Sequence, residues 1–228
     1  MNASEIPLLD CIEIETGPEP QHAIIWLHGL GADGNDFTPV VPELELDDVG
    51  PIRFVFPHAP VQPVTINNGM AMRAWYDIYV ADLVRREDEQ GLRASQRAIE
   101  ALITRENQRG IPTDRIVLAG FSQGCAMALQ TGLRYPEKLA GIIGLSGYLP
   151  LANLAEQERH EANAQTPIFL AHGTIDPVVA FERAEATLLA LKAMNYPVTF
   201  KQYPMPHSVC LEEIHDIAAF LRTILHKR

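Results

Sequence analysis

The segment whose residue types and spacing most directly indicate chemistry is Gly120–Gly124, with the sequence GFSQG. It matches the pattern G-x-S-x-G, in which the serine occupies a sharp, strained turn between a strand and a helix. Glycines two positions away on either side let such a turn close without side-chain clashes. A strand-like run, Arg115–Ala119, precedes the pattern, and a run of small and apolar residues, Cys125–Leu133, follows it. The sequence therefore predicts that Ser122 is a nucleophile, and the alternative is a structural Gly/Ser turn.

A serine hydroxyl is a weak nucleophile near neutral pH, so it needs an adjacent general base, which is usually histidine. Around such a serine turn the catalytic residues follow the chain order Ser, then Asp or Glu, then His. His207 meets this requirement because it lies in the loop after the last strand-like run, Val198–Tyr203. His22 and His58 precede the serine and fail the order rule. The other histidines after the serine, outside the acid loop described next, are predicted to be surface residues: His160, His215 and His226.

The acid that orients the imidazole should follow the preceding strand, Pro167–Ala171. Asp176 is the only carboxylate in the loop after that strand, HGTIDPVV. Because Pro177 and two valines open the next predicted helix, Asp176 has capping of that helix as an alternative role, and the two roles are compatible. His172 in the same loop is a rival base, but its place directly at the strand end favours a structural hydrogen bond. The predicted triad is therefore Ser122, Asp176 and His207.

Ester attack places negative charge on the carbonyl oxygen, and backbone N–H groups must already point at it. One donor is the residue after the nucleophile, Gln123, and the other comes from the loop after an early strand. That loop is His28–Gly34, with the sequence HGLGADG, and Leu30 is its predicted donor. A glycine-rich phosphate cradle is the alternative, but the loop contains neither G-x-G-x-x-G nor G-x-x-x-x-G-K-[ST]. The sequence thus predicts an oxyanion hole at Leu30 and Gln123.

The elements that must position these residues alternate along the chain. Six short apolar runs are typical of strands covered on both faces: Ala23–Leu27, Ile52–Phe56, Arg115–Ala119, Gly141–Leu145, Pro167–Ala171 and Val198–Tyr203. Leu9–Glu15 alternates polar and apolar residues, which favours a half-exposed edge strand. Helical patterns lie between the strands and after the last one: about Glu89–Gln108, Ser122–Arg134, Val178–Met194 and Leu211–His226. This alternation predicts one α/β domain over residues 1–228, with a mostly parallel sheet and helices on both faces.

Composition and charge exclude several classes of partner. The 228 residues include 18 Lys and Arg against 29 Asp and Glu, giving a formal net charge of −11. Nucleic acid binding needs clustered cations, so it is not expected, and no stretch is long and apolar enough for stable membrane insertion. Three widely spaced cysteines and an N-terminus without a signal pattern favour the cytoplasm. The sequence predicts no metal site and no cofactor, and it leaves a monomer and a homodimer open.

Four motifs occur in order, LHGLGADG, GFSQGCAM, HGTIDPVV and YPMPHS, together with PHAP and MRAWYD. As a set they resemble the carboxylesterase/acyl-protein thioesterase family of α/β-hydrolases, also called the phospholipase/carboxylesterase family, over essentially the whole chain. The resemblance implies a compact α/β-hydrolase fold without a metal or a large lid domain. It places Ser122, Asp176 and His207 on the family's triad, and Leu30 and Gln123 on its oxyanion positions. The chain departs from the family pattern at Cys125 and Pro206, where glycine is usual.

The resemblance implies a carboxylesterase that also cleaves thioesters or lysophospholipids. Because the span from Leu145 to Pro167 is too short for a lid domain, we expect an open groove that prefers short- to medium-chain acyl esters. Apolar residues near predicted strand ends are candidates for its wall, or else for the core: Phe37, Met70, Met72, Trp75, Tyr76, Leu149 and Val178. Among these, Trp75, Met72 and Val178 are the predicted substrate-binding residues. The alternatives are a non-catalytic ligand-binding or interaction protein of this fold and a cysteine-dependent hydrolase, which the serine at the turn disfavours.

Overall fold

The computed structural model describes residues 8–80 and 86–226, so the first seven residues of the predicted domain lie outside it. Its strands are β1 (Cys11–Glu15), β2 (His22–Leu27), β3 (Ile52–Pro57), β4 (Val61–Val64), β5 (Met70–Arg73), β6 (Ile116–Phe121), β7 (Gly141–Leu145), β8 (Ile168–Gly173) and β9 (Val198–Tyr203). Its α-helices are α1 (Val40–Glu43), α2 (Glu89–Gln108), α3 (Gln123–Arg134), α4 (Ala152–Glu158), α5 (Phe181–Ala193) and α6 (Leu211–Leu225).

Within the described residues, seven strands form one sheet in the order β1-β3-β2-β6-β7-β8-β9. Only β1 runs antiparallel, against β3, and the other strands are parallel. Parallel strands bring their carboxyl ends to one edge, where ligands bind in open α/β sheets. The loops after β2, β6, β8 and β9 therefore meet at this edge. The predicted mostly parallel sheet and its edge strand at the N-terminus are confirmed.

The sheet is buried on both faces because successive side chains of a strand point in opposite directions. On β2, Ile25 and Leu27 pack into one hydrophobic cluster with residues of α2, α3 and α5, whereas Ile24 and Trp26 pack into a second cluster with residues of α6. The central strands are consequently apolar throughout rather than alternating, as the sequence indicated. Among the described helices, none is long and apolar enough to cross a membrane.

Three features of the fold differ from the sequence-based expectation. A small antiparallel hairpin, β4 with β5, lies between β3 and α2 in the chain, and its four-residue strands were too short to predict. Helices α1 and α4 were also not predicted, and α4 occupies the span between β7 and β8. Helix α5 begins at Phe181 rather than near Val178, because the Asp176 carboxylate accepts hydrogen bonds from the N–H groups of Val178 and Val179 and holds them in a turn.

Candidate active site

Ser122 occupies the tight turn that joins β6 to α3. Its backbone has φ 57° and ψ −117°, a conformation that non-glycine residues adopt only under strain. The flanking glycines are required by close packing: a Cβ on Gly120 would collide with the carbonyl of Gly124, and a Cβ on Gly124 would collide with the carbonyl of Leu27. The Ser122 N–H donates to the Leu145 carbonyl on β7 at 2.9 Å, which fixes the turn against the sheet. The strained serine turn that the sequence predicted is therefore present.

His207 lies in the loop between β9 and α6 and faces Ser122. The Ser122 hydroxyl is positioned to donate to His207 Nε2, 3.0 Å away, while His207 Nδ1–H points to Asp176 Oδ2 at 2.6 Å. The imidazole ring also packs on Phe121, with ring centroids 4.7 Å apart. Two hydrogen bonds and a ring contact thus hold the imidazole in one orientation, and the tautomer follows from the carboxylate on Nδ1.

Asp176 uses its two carboxylate oxygens for different tasks. Oδ2 faces His207, whereas Oδ1 accepts from the N–H groups of Val178 and Val179 at 2.8 and 2.9 Å. The Asp176 side chain is fully buried. Asp176 thus contacts both the candidate base and the turn before α5, while the N-cap of α5 is Ala180 rather than Asp176.

His172, the rival base, is buried at the end of β8. Its Nε2 lies 2.8 Å from the Val179 carbonyl and 3.4 Å from Asp176 Oδ2. Burial lowers the pKa of this imidazole, which favours its neutral form. Its hydrogen bond therefore ties the strand end to the acid loop, as expected for a structural histidine, and His207 is the histidine that the fold brings to Ser122.

The two predicted oxyanion residues flank Ser122 from different loops. Leu30 lies in the turn after β2, and Gln123 is the first residue of α3. Both line the cavity that contains Ser122 and His207. Across residues 8–80 and 86–226, neither backbone N–H has an acceptor in the protein. Two unused donors beside a candidate nucleophile are the arrangement that binds a developing oxyanion.

The cavity beside Ser122 has a volume of about 390 Å³. Its apolar wall comes from three parts of the chain that are distant in sequence: Ile66, Tyr76 and Ile78 around the β4–β5 hairpin, Tyr148 after β7, and Val178 and Val179 in the acid loop. Val178 is thus a wall residue, as predicted, and its side chain is 65% exposed. The sequence analysis named Tyr76 only as one candidate among seven and missed Ile66, Ile78 and Tyr148, because only the unpredicted hairpin and the fold of the β7 loop bring them together.

Trp75 and Met72 do not line this cavity, which corrects their predicted role. Trp75 is 1% exposed, and its indole N–H donates to the His28 carbonyl at 2.9 Å, so its ring is held in the core beneath the oxyanion loop. Met72 lies on β5, and its sulfur accepts a hydrogen bond from the Asn67 amide at 3.3 Å. Asn67 itself lines the cavity. Met72 therefore supports the wall from behind, and Trp75 supports the oxyanion loop.

The two departures from the family pattern leave the candidate triad intact. Cys125 is buried at the start of α3, and burial raises the pKa of its thiol to about 12, so the nucleophilic thiolate is suppressed. Its side chain fills the space beside Gly144 and Gly147. Pro206 is exposed, and a Cβ on Gly173 would collide with the carbonyl of Met205 just before it, so the loop packs closely on the end of β8.

No cluster of three or more potential metal ligands occurs in the part of the chain that the structure describes. A carboxylate, an imidazole and a hydroxyl are brought together from three loops at one edge of the sheet. The chemistry that this arrangement supports is attack of a hydroxyl on a carbonyl carbon, with backbone donors placed for the resulting oxyanion.

Comparison with known proteins gives this arrangement a family. A family model described as phospholipase/carboxylesterase matches residues 9–225. Acyl-protein thioesterase 1 of Neurospora crassa is 47% identical over 216 residues, which cover 90% of this chain and 87% of that protein. Acyl-protein thioesterase 1 of Mycosarcoma maydis is 42% identical over 229 residues, which cover 94% of this chain and 95% of that protein.

Solved structures show the same fold. Arabidopsis thaliana SOBER1 has a TM-score of 0.84 at 33% identity, covering 90% of this chain and 99% of that chain. Zea mays acyl-protein thioesterase 2 has a TM-score of 0.79 at 30% identity, covering 94% of this chain and 99% of that chain. The α/β-hydrolase fold and the resemblance predicted from the motifs are confirmed. The chain belongs to the phospholipase/carboxylesterase family.

Proposed function

We propose that this carboxylic ester hydrolase works through an acyl-enzyme on Ser122, with His207 as general base and Asp176 as the acid that orients it. The observation that carries the proposal is the continuous hydrogen-bonded line from Asp176 through His207 to Ser122 at the rim of an apolar cavity. A non-catalytic binding protein would have no need for a strained serine, a buried carboxylate and an imidazole in this order.

In the acylation step, His207 Nε2 takes the proton of the Ser122 hydroxyl as its oxygen attacks the carbonyl carbon of the ester. The carbonyl oxygen becomes an oxyanion, which the N–H groups of Leu30 and Gln123 bind. Asp176 stabilises the imidazolium that forms, through the hydrogen bond on Nδ1. His207 then passes the proton to the leaving alcohol or thiol, and the acyl group stays on Ser122.

Deacylation repeats the same steps with water in place of the Ser122 hydroxyl as the nucleophile. His207 takes a proton from a water molecule, which attacks the acyl carbon and regenerates the same oxyanion. Collapse of this second intermediate returns the proton to Ser122 Oγ and releases the carboxylic acid. Because both steps pass through the same oxyanion, Leu30 and Gln123 serve both, and esters and thioesters are suited to the same site.

The proposed substrates are esters and thioesters of short to medium acyl chains, with lysophospholipids as a further class. The names of the Neurospora crassa and Mycosarcoma maydis relatives support acyl thioesters. The apolar wall supports an acyl chain, since each buried methylene contributes about 0.8 kcal/mol to binding. Tyr76 and Tyr148 form a buried part of that wall, with their hydroxyls 2.9 Å apart, and we infer that they limit the chain length.

A substrate panel tests the proposal. Purified protein would be labelled with a fluorophosphonate and assayed on p-nitrophenyl esters and acyl thioesters from two to sixteen carbons. We expect labelling at Ser122, hydrolysis of both classes, and a kcat/KM that rises to a medium chain length and then levels. A folded protein that is neither labelled nor active would support the non-catalytic alternative, and a steady rise to the longest chains would contradict the length limit.

We also propose a single domain and a cytoplasmic location. The single domain is supported by the two hydrophobic clusters, which pack on one shared sheet. A cytoplasmic location is supported by Cys11, Cys125 and Cys210, which are all free thiols and suit a reducing compartment. A homodimer and a monomer would be distinguished by light scattering of the purified protein.

A further inference from the structure

The oxyanion loop is held by a histidine that the catalytic steps above do not use. His28 is 1% exposed, at the end of β2. Its Nδ1 lies 2.7 Å from the carbonyl of Gly29, and its Nε2 accepts a hydrogen bond from the Ala59 N–H at 3.0 Å. Because Nε2 is an acceptor, the ring proton is on Nδ1, which therefore donates to the Gly29 carbonyl.

The Gly29 carbonyl and the Leu30 N–H belong to the same peptide unit. The described residues contain no cis peptide bond, so in this planar, trans unit the C=O and N–H point in opposite directions. Holding the carbonyl toward His28 therefore aims the N–H away from it. A second, longer bond from the Ala32 N–H to the Gly29 carbonyl, at 3.3 Å, closes the turn around this peptide.

A second line of hydrogen bonds connects His28 to the other oxyanion residue. The indole N–H of Trp75 donates to the His28 carbonyl at 2.9 Å, and the Trp75 backbone N–H donates to the side-chain oxygen of Gln123 at 3.0 Å. The Gln123 side-chain amide in turn donates to the Tyr76 carbonyl at 2.9 Å. Gln123 is 3% exposed. Its backbone carries one of the two oxyanion N–H groups, and its side chain bonds Trp75, which in turn bonds His28 before the other donor.

We propose that His28 is a positioning residue that aims the Leu30 N–H at the substrate oxyanion, and that Trp75 and Gln123 join this support to the second donor. The proposal rests on the proposed function, since it assigns a role to the two oxyanion donors. It gives the buried Trp75 a function in catalysis without contact with substrate. It also explains why the side-chain amide of Gln123 hydrogen-bonds the backbone of both Trp75 and Tyr76.

Keeping both hydrogen bonds of the ring requires an uncharged imidazole. Protonated His28 would place a second donor against the Ala59 N–H, which breaks that hydrogen bond. Burial lowers the pKa of His28 and outweighs the hydrogen bond to the Gly29 carbonyl and the Asp33 carboxylate, which both raise it, while the charge of Arg73 acts in the same direction as burial. The neutral form with its proton on Nδ1 is therefore favoured at neutral pH.

Two substitutions separate the two hydrogen bonds of the ring. In His28→Asn the side-chain amide nitrogen replaces Nδ1 and still donates to Gly29, whereas in His28→Gln the amide oxygen replaces Nε2 and only the bond from Ala59 is kept. His58→Gln is the matched control, because His58 Nδ1 accepts from the Gly34 N–H in the same loop at 3.0 Å but does not touch the Leu30 peptide. Rates would be expressed per active site, titrated with a fluorophosphonate.

We expect His28→Gln to lose roughly 10- to 100-fold in kcat with little change in KM, because misplacing an oxyanion donor weakens only the transition state. His28→Asn should lose less than about 10-fold, and His58→Gln should stay within about 2-fold. The affinity of a trifluoromethyl ketone, whose adduct carries the oxyanion, should fall with kcat/KM across the series. Where His28→Gln does not fold, Trp75→Phe, which removes the indole N–H, should show the same split between kcat and KM.

Equal kcat losses in the two His28 variants, or the same loss in His58→Gln, would show a general structural role and overturn the proposal. A kcat per active site that is unchanged in His28→Gln would overturn it as well. Failure of the proposed function looks different, since wild-type protein would then neither label nor turn over any ester.

Discussion

The cavity beside Ser122 has a polar, closely hydrogen-bonded part, called here the polar side, and an apolar, partly open part, called here the apolar side. On the polar side, Asp176 and Gln123 are buried and every polar atom of their side chains has a partner. On the apolar side, Ile66 and Val178 are 40% and 65% exposed. Gln123 and Asp176 follow the ends of the parallel strands β6 and β8, while Ile66 lies in the turn between the two strands of the β4–β5 hairpin.

This difference separates two properties of the enzyme. Groups that must meet a transition state need fixed distances, which strand ends and buried hydrogen bonds supply. Groups that contact an acyl chain need only apolar surface, and exposed side chains on a hairpin and a loop provide it. Changes on the polar side should therefore lower kcat for all substrates, and changes on the apolar side should alter the ranking of acyl chains.

The largest effect is expected on the polar side, from Ser122→Ala. Removal of the nucleophile should lower kcat by roughly 10⁴-fold or more on every substrate, because the acyl-enzyme cannot form. The measurement is kcat on acetyl and octanoyl esters, with circular dichroism to check folding. A folded variant that keeps more than a tenth of the wild-type rate would show that Ser122 is not the nucleophile.

The second prediction compares the loss of activity on replacing each of the two histidines that face Asp176. His207→Ala should be nearly as damaging as loss of Ser122, and the two substitutions combined should add little, because the triad acts as a unit. His172→Ala should lose about 10-fold or less in kcat and mainly lower the melting temperature, since it leaves the Val179 carbonyl without its 2.8 Å partner. An inactive His172→Ala beside an active His207→Ala would reverse the assignment of the base.

The same division explains how far the sequence could predict the site. The candidate triad follows chain order, and each member comes directly after a strand whose apolar pattern is visible, so Ser122, Asp176 and His207 could be named from the sequence. The apolar wall has no such order. Tyr148 follows β7 with no motif to mark it, and Ile66 depends on a hairpin of two four-residue strands.

Trp75 shows why the sequence placed a core residue in the substrate-binding wall. A large aromatic residue near the site fits both a substrate wall and a core, and the sequence does not reveal that its indole N–H has a partner in the His28 carbonyl. Burial of tryptophan is favoured when this polar atom is bonded. The start of α5 was misplaced for a related reason, because the turn held by Asp176 depends on one carboxylate serving both His207 and the valine N–H groups.

A smaller effect is expected from Tyr148, on the apolar side. Tyr148 also lines a second cavity of about 320 Å³, so it borders both this cavity and the one beside Ser122. Tyr148→Ala should join the two and raise kcat/KM for palmitoyl relative to octanoyl esters by roughly 10-fold, the contribution of about two buried methylenes. The ratio is independent of the amount of active protein.

Tyr148→Phe is the control for that experiment, because it keeps the ring and removes only the hydroxyl that meets Tyr76. We expect its preference between octanoyl and palmitoyl esters to match that of wild type. If Tyr148→Ala lowers both esters equally, the two cavities do not serve one acyl chain, and the wall beside Tyr148 does not set the chain length.

The smallest effect tests whether exposed wall residues contribute at all. Val178 and Ile175 lie in the same loop and are 65% and 66% exposed, but only Val178 lines the cavity. Val178→Thr keeps the branched shape and the backbone hydrogen bond to Asp176 while replacing a methyl group with a hydroxyl. It should lower kcat/KM by about 2- to 3-fold for octanoyl esters and leave acetyl esters unchanged, because only the longer chain covers that methyl group. Ile175→Thr should change neither. Equal losses on acetyl and octanoyl esters would mean that Val178 acts through Asp176 rather than on the acyl chain, and equal losses in both variants would place the effect in the loop rather than in the wall.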